Sequence, residues 1–546
     1  MTASTQRMTA TTLPTALRWI VAMMAAQLFV AVRCYTTPDA FSDPALNWTF
    51  PLRNRQTIFG ALLLGALIGL VMVRPRLGRH WQAFLDSTAQ PRGALPLIAQ
   101  ISACTACYAL AWPLYAHPAQ IGDLGWPLLI AWAASVMACG AASLWLLAPL
   151  RYWRTLLAGE TQAFAVAAIG VIGSGALIAL VYRAWQTVPL LAHLTLNSSA
   201  WLLRPLYPAM TVDTRTAIIE AEGFRVQISD VCSGYLGVSL TLGFLACYCY
   251  LFRAEIRPWL MAALLPFGIA LSLALNAVRI AALVILGVEI SPEVAAKGFH
   301  TNAGSIAMLL CCAIVVALAH RLFVARATAD DSPRLGWTLD FESALLIPFM
   351  ALLAVTLLTG AFSGDFVWLY PARVLAVGLV LALCWKPLRA LAVWPSILPV
   401  AVGAAVYAMW IAMIDADAAA SAAFASALGT AAPAAAIGWL LLRTLGAVVT
   451  VPIAEELAFR GYLLAVLSRQ PVKPDTRLRF DGLGLIGSSL LFGALHGQWL
   501  AGTLAGLAYG GLRYRRDRIG DAVVAHMTTN LLLAIHVFAT GHWSYW

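Results

Sequence analysis

The sequence predicts an all-α, polytopic transmembrane helical bundle, with about eight spans in an N-terminal domain and about six to eight in a C-terminal one. Three observations carry that expectation. Of 546 residues, 61% are hydrophobic and 11% carry a charge, against roughly 45–50% and about 25% in soluble domains. Apolar windows of roughly 17–25 residues, long enough to cross a bilayer as helices, recur along the chain. The arginines are bunched between those windows. A water-soluble enzyme with one core is thereby excluded, as are a disordered chain and a disulfide scaffold, since ten cysteines in 546 residues is ordinary. The net charge of +10 reads as the bias of basic residues toward cytoplasmic loops. No nucleic-acid partner is expected; the surroundings are the lipid bilayer.

The first eight windows lie near 14–36, 57–73, 94–116, 125–149, 162–182, 233–252, 258–288 and 302–325. The first is too long for a signal-peptide core and lacks a clear small-residue cleavage site, so it is expected to be retained. Arg7 and Arg18 before it place the N-terminus in the cytoplasm, and alternate threading then puts the clusters at Arg74–Arg79, Arg151–Arg154, Arg253–Arg257 and Arg321–Arg326 on that same side. Arg53 and Arg55 fall outside. Between 183 and 231 lies an external connection. Its apolar middle, interrupted by His193, Asn197 and Arg204, reads as an interfacial or re-entrant segment, and 211–229 alternates around Glu222 and Gly223 as a small hairpin. The polar stretch 326–343 reads as a cytoplasmic linker between a domain at 10–325 and another at 344–540. Beyond it come windows near 343–360, 373–385, 391–414 and 432–451, then shorter helices at 453–468, 482–495 and 498–512, and a last one at 519–540. The Ala-rich 416–436 is a helix or loop of no evident chemistry.

Threading brings three polar residues of the first domain to the outer surface. Cys232 starts a descending span. Arg279 lies 22 residues past Arg257, about 33 Å at ~1.5 Å per helical residue, far enough to cross. His300 precedes the returning span. A thiol is a poor nucleophile until a neighbouring cation or base favours its thiolate; an arginine that keeps its proton, a histidine that exchanges one and a helix start provide that. Chemistry of this kind attacks a peptide carbonyl, forms a thioester and hands the acyl group to water or an amine. The bland reading of each is a small apolar residue, a snorkelling anchor and a satisfied loop histidine; an intramembrane charge such as Arg279 weighs against it. Cys104 and Cys107 are spaced like a redox or zinc pair but lie in an apolar span without a second ligand pair, so they read as packing residues, as do Cys247, Cys249, Cys311 and Cys312.

The segments VCSGYLG, NAVRIAALVILG and GFHTNAGS, in that order on an eight-span domain, resemble the exosortase and archaeosortase family of membrane transpeptidases. The resemblance, over about residues 10–325, implies Cys232 as nucleophile, Arg279 as the stabiliser of thiolate or oxyanion, and His300 as general acid or base. It also implies partners: exported proteins ending in a short signal, a hydrophobic helix and a basic tail, cut at the outer face of the bacterial inner membrane, with transfer to an unidentified acyl acceptor.

A second constellation follows Pro452. In AEELAFRGYLLA, Glu456 and Arg460 stand four residues apart on one helical face and can pair, while Glu455 is rotated by ~100° and left free. A carboxylate in apolar surroundings can serve as a general base on water. Phe492 and His496 follow, then His526 and Asn530, four apart, able to donate to an oxyanion. Buried polar groups knitting helices together are the structural alternative. Two carboxylates and two histidines are also sufficient for zinc or iron, yet neither histidine belongs to an HExxH helix; no metal and no other cofactor is expected. The boxes EExxxR, FxxxH and HxxxN are similar to those of the CAAX protease and bacteriocin-processing family of intramembrane glutamate proteases, over about residues 340–540. That likeness implies Glu455 as the water-activating base, His496 as its partner at the attacked carbonyl, His526 with Asn530 as the oxyanion hole, and Glu456 with Arg460 in support. The two regions in one chain resemble the exosortase E/protease subtype, whose substrates are expected to carry a VPEID-type signal. The rival readings are a proton-coupled transporter, which predicts inverted repeats that the sequence does not show, and a non-catalytic scaffold for surface-protein or exopolysaccharide assembly.

Overall fold

The structure, a computed structural model, describes residues 76–88, 93–172, 190–228, 232, 234–251, 258–324, 339–389, 391, 396–474 and 477–546, with scattered positions between 20 and 73. The windows at 14–36 and 57–73 and the end of 162–182 lie outside the described residues. The protein is an all-α polytopic helical bundle carrying one small sheet. Among the described residues, seven helices are long and apolar enough to cross a membrane, or nine if each of two bent pairs is one span.

The chain divides into two compact units, Met1–Ala184 and Trp185–Trp546. In the first, α1 (Leu77–Thr88), α2 (Leu95–Ala116) and α3 (Gly125–Leu147) precede a bent pair, α4 (Leu150–Gly159) and α5 (Thr161–Ile172), which meet at 80°. Glu160 sits at that bend, buried, with Arg76 and His80 at 2.7 and 2.8 Å. Basic residues of the expected cytoplasmic cluster thus answer a buried carboxylate.

The second unit begins with α6 (Leu190–Leu203) and a meander of β1 (Thr211–Asp213), β2 (Ile218–Ala221) and β3 (Phe224–Gln227), paired antiparallel in order. Glu222 and Gly223 both take positive φ, +48° and +85°, as a two-residue hairpin turn requires. The inner face of the meander (Ile219, Ala221, Val226) packs with Leu196 and Leu203 of α6 and with Ile280 and Val284 of α8 (Pro258–Glu289), enclosing Cys232. α7 (Tyr235–Leu251) precedes α8, and a π-helical turn, Val294–Phe299, leads into α9 (His300–Val324).

α10 (Phe341–Ala361) starts at Asp340, whose side chain accepts from the Ser343 amide and holds its own carboxyl below the usual carboxylate range. Helix therefore occupies the last three residues, 341–343, of the expected linker. α11 (Tyr370–Leu383), α12 (Ile397–Met413) and α13 (Ala418–Gly429) follow, the last two bent by 110°. The expected break near 452 is absent. Pro433–Leu467 runs as one 35-residue helix, α14, with π-helical turns at Gly446–Thr450 and Leu457–Leu463. Pro452 follows the first of them, where i→i+5 bonding has already displaced the ladder that a proline would otherwise interrupt. α15 (Gly482–Ala494), α16 (Trp499–Arg516) and α17 (Ile519–Thr540) complete the unit. Gly502, Gly506 and Gly510 form one stripe of α16, and a Cβ on them would stand 3.0 Å from Gly493 Cα, 2.9 Å from Ser489 Cα and 2.5 Å from Leu485 Cδ1. Such small-residue seams let backbones approach where burial of apolar surface supplies little drive.

Candidate functional site

The cysteine, arginine and histidine singled out in the sequence converge. Cys232 lies in the turn before α7 rather than at its first residue: the helix starts at Tyr235, and Gly234, at φ +95°, makes the reversal between them. Cys232 is 2% exposed. Its sulfur stands 4.0 Å from His300 Nδ1 and 3.9 Å from Nε2, so a rotation of the ring selects which nitrogen receives the thiol proton. Among the described residues, Arg279 pairs with no carboxylate. Its Nη2 donates to the His300 carbonyl at 3.1 Å and its Nη1 to Asn276 Oδ1 at 3.4 Å, while its Nε is buried without an acceptor. Gly304, one turn beyond His300, leaves the room: a Cβ there would touch the guanidinium carbon at 3.8 Å.

Asn276 was not singled out by sequence, though it sits three residues before Arg279 on the same face. Its amide donates to the Cys232 carbonyl at 2.9 Å and stands 3.4 Å from Thr195 Oγ1, so one side chain ties the backbone of the sulfur to the arginine. The π-helical turn before His300 is gripped by the turn after α10. Asp365 receives Lys297 at 2.5 Å and its amide donates to Glu293 Oε1 at 3.1 Å. A Cβ on Gly298 would lie 2.0 Å from the Ser363 carbonyl and 2.8 Å from that of Gly360.

The second cluster is buried in the bundle of α10, α14, α15, α16 and α17. Glu456 and Arg460 are fully buried and paired, with Nη1 to Oε1 at 3.2 Å and Nε to Oε2 at 3.1 Å. Arg460 Nη2 also donates to the Gly506 carbonyl at 3.1 Å, and its guanidinium lies 4.2 Å over the Phe492 ring. Glu455 makes no ion pair with Arg460 among the described residues, in keeping with the rotation of its side chain around the helix. His526 reaches both carboxylates: Nδ1 is 3.0 Å from Glu456 and Nε2 is 4.0 Å from Glu455. Tyr509 stacks on His526 at 5.0 Å and donates to Thr529 at 2.7 Å; no spacing in the sequence pointed to it. His496 Nδ1 must donate to the Phe492 carbonyl at 2.8 Å, since a carbonyl only accepts, and this leaves Nε2 open as an acceptor. Asn530 turns its amide to the Ala447 carbonyl at 2.7 Å, so that donor is already engaged. No group of three or more His, Cys, Asp or Glu side chains placed to hold a metal occurs among the described residues.

The all-helical bundle thus holds a thiol–imidazole pair in one part and a carboxylate–imidazole cluster in another, two arrangements able to attack or hydrate a peptide carbonyl. Residues 52–317 match the transmembrane exosortase model of EpsH type, and residues 437–532 match the type II CAAX prenyl endopeptidase Rce1-like model. In that order, the two regions are similar to an exosortase domain followed by a Rce1-like CAAX protease domain. Both families are membrane proteases, and the exosortase family processes exported proteins bearing C-terminal sorting signals. No curated protein and no solved structure matches the chain.

Proposed function

We propose that the chain cleaves the C-terminal sorting signal of an exported protein through Cys232 and runs a separate hydrolysis through Glu455. The observation that carries the first part is the sulfur within 4.0 Å of both His300 nitrogens on a scaffold braced by Arg279 and Asn276. In this reading His300 takes the thiol proton, the sulfur adds to the scissile carbonyl, and the unpartnered Arg279 Nε–H receives the developing oxyanion. The C–N bond then breaks, His300 passes its proton to the leaving amine, and water or an amine takes the acyl group from the thioester. The buried sulfur requires local opening before a peptide reaches it. Glu455 takes a proton from water as the water oxygen adds to a second peptide carbonyl, then returns that proton to the departing amine as the C–N bond breaks, leaving a carboxylic acid and a free amine, with His496 Nε2 beside it and Arg460 holding Glu456 in place. His526, turned to both glutamates, organises the carboxylates in this scheme, and the oxyanion role of Asn530 would require its amide to leave Ala447.

The domain limits are read as 10–325 and 344–540, in the bacterial inner membrane, with the N-terminus cytoplasmic, the sulfur outward and Glu455 toward the cytoplasmic half. The test is co-expression of a substrate bearing the signal with Cys232→Ala or Glu455→Ala, read by mass spectrometry of the new C-terminus. Unchanged processing with Cys232→Ala ends the first assignment, and loss of signal cleavage in both variants ends the claim of two independent reactions.

A further inference from the structure

Near the C-terminal end of α14, a cavity of about 210 Å³ opens beside Lys473, Arg513, Arg518 and the first residues of α17, Ile519 and Gly520. We propose that this cavity binds a phosphate-bearing anion.

Four observations converge on it. Lys473 and Arg518 line the rim and have no carboxylate partner among the described residues. Arg513 is 7% exposed, and its Nε is buried without an acceptor, although its Nη1 holds Asp517. The 22-residue helix α17 has no side-chain cap at its N-terminus and carries Arg518 in the capping position, where a cation opposes the helix dipole and an anion would answer it. Two acids are close, and both are engaged: Asp517, itself in the lining, meets Arg513, Arg477 and the Leu478 amide, and Asp521, in the first turn of α17, meets Arg516. A fork-shaped guanidinium, an ammonium and open backbone N–H groups around one polar cavity are the donor set that phosphate uses. Gly461 and Ala465, on the turn following Arg460, line the same cavity.

The phosphate could belong to a free solute or to a phospholipid headgroup, and two measurements separate these. The full-length chain, delipidated in a non-ionic detergent, is titrated with inorganic phosphate by calorimetry, and in parallel with phosphatidylglycerol by native mass spectrometry. Binding of either supports the site, phosphate alone pointing to a solute and phosphatidylglycerol alone to a lipid. Lys473→Ala/Arg518→Ala should weaken that binding at least tenfold, whereas Arg515→Ala, exposed and off the cavity, should leave it unchanged. Both rim residues are exposed, and Arg518→Ala alone serves should the double variant lose its unfolding transition. Absence of binding of both probes overturns the proposal, as does an equal loss in Arg515→Ala.

Discussion

Gly298→Ala tests how the two regions cooperate. The added methyl would stand 2.0 Å from the Ser363 carbonyl oxygen, 2.8 Å from that of Gly360 and 3.0 Å from that of Ala361. All three are backbone atoms of one tight turn, so none can swing aside as a side-chain tip would. A carbon–oxygen contact settles at about 3.3 Å or beyond, so relieving the closest one alone takes about 1.3 Å of relative movement. Only Phe299 separates Gly298 from His300, and the sulfur already stands at the outer limit of a hydrogen bond to that imidazole. Misplacing a reacting pair by about 1 Å can cost on the order of 10²-fold in rate, and overpacking of this kind costs about 1–3 kcal/mol in stability. Signal cleavage should therefore fall by one to two orders of magnitude, more than the modest loss of thermal stability would explain. The assay is cleavage rate of a co-purified substrate beside thermal unfolding in the same detergent. Cleavage within twofold of the parent chain would refute the idea that the turn after α10 sets the position of His300.

Asn276→Leu keeps the volume but strands the Cys232 carbonyl, a loss of about 1–3 kcal/mol for an unsatisfied buried acceptor; signal cleavage should drop while Glu455-dependent hydrolysis persists, as read in paired activity assays. Glu456→Ala leaves Arg460 buried and unpaired, which should destabilise by about 3–5 kcal/mol, whereas Glu455→Gln should abolish hydrolysis with an unchanged unfolding midpoint. Equal midpoints for the two variants would contradict the division of labour between the glutamates. Gly493→Ala would put a methyl 2.1 Å from Thr503 Oγ1 and 2.4 Å from the Trp499 carbonyl, prying α15 from α16; a lowered unfolding midpoint with intact signal cleavage is the expected outcome.

What was legible in the sequence depended on the range of the interaction. The Glu456–Arg460 pair and the Glu222–Gly223 turn are local, and four-residue spacing or a turn dipeptide announces each. The meeting of Cys232, Arg279 and His300 was legible from threading alone, because the helix lengths between them match a bilayer crossing. The grip of the 360–365 turn on the π-helical segment was not, since Gly298, Gly360 and Ser363 advertise no chemistry and act only by letting backbones approach. The course of α14 was also hidden: a proline ordinarily breaks the helical ladder, so Pro452 read as a terminus, and nothing in the sequence announced the π-helical turn that accommodates it. The engagement of Asn530 with Ala447 escaped notice because a backbone acceptor leaves no trace in residue identity.

The unbroken course of α14 has a consequence for its two ends. Thirty-five residues extend about 52 Å at ~1.5 Å each, while the hydrocarbon layer is about 30 Å thick; even at a tilt of ~40°, the steep end of the observed range, about 40 Å remains along the membrane normal. One end of the helix must therefore stand in the hydrated headgroup zone. Counting from Pro433, Glu455 falls about 33 Å along the helix, two-thirds of the way to the end at Leu467, so the carboxylate lies closer to that end than to the start.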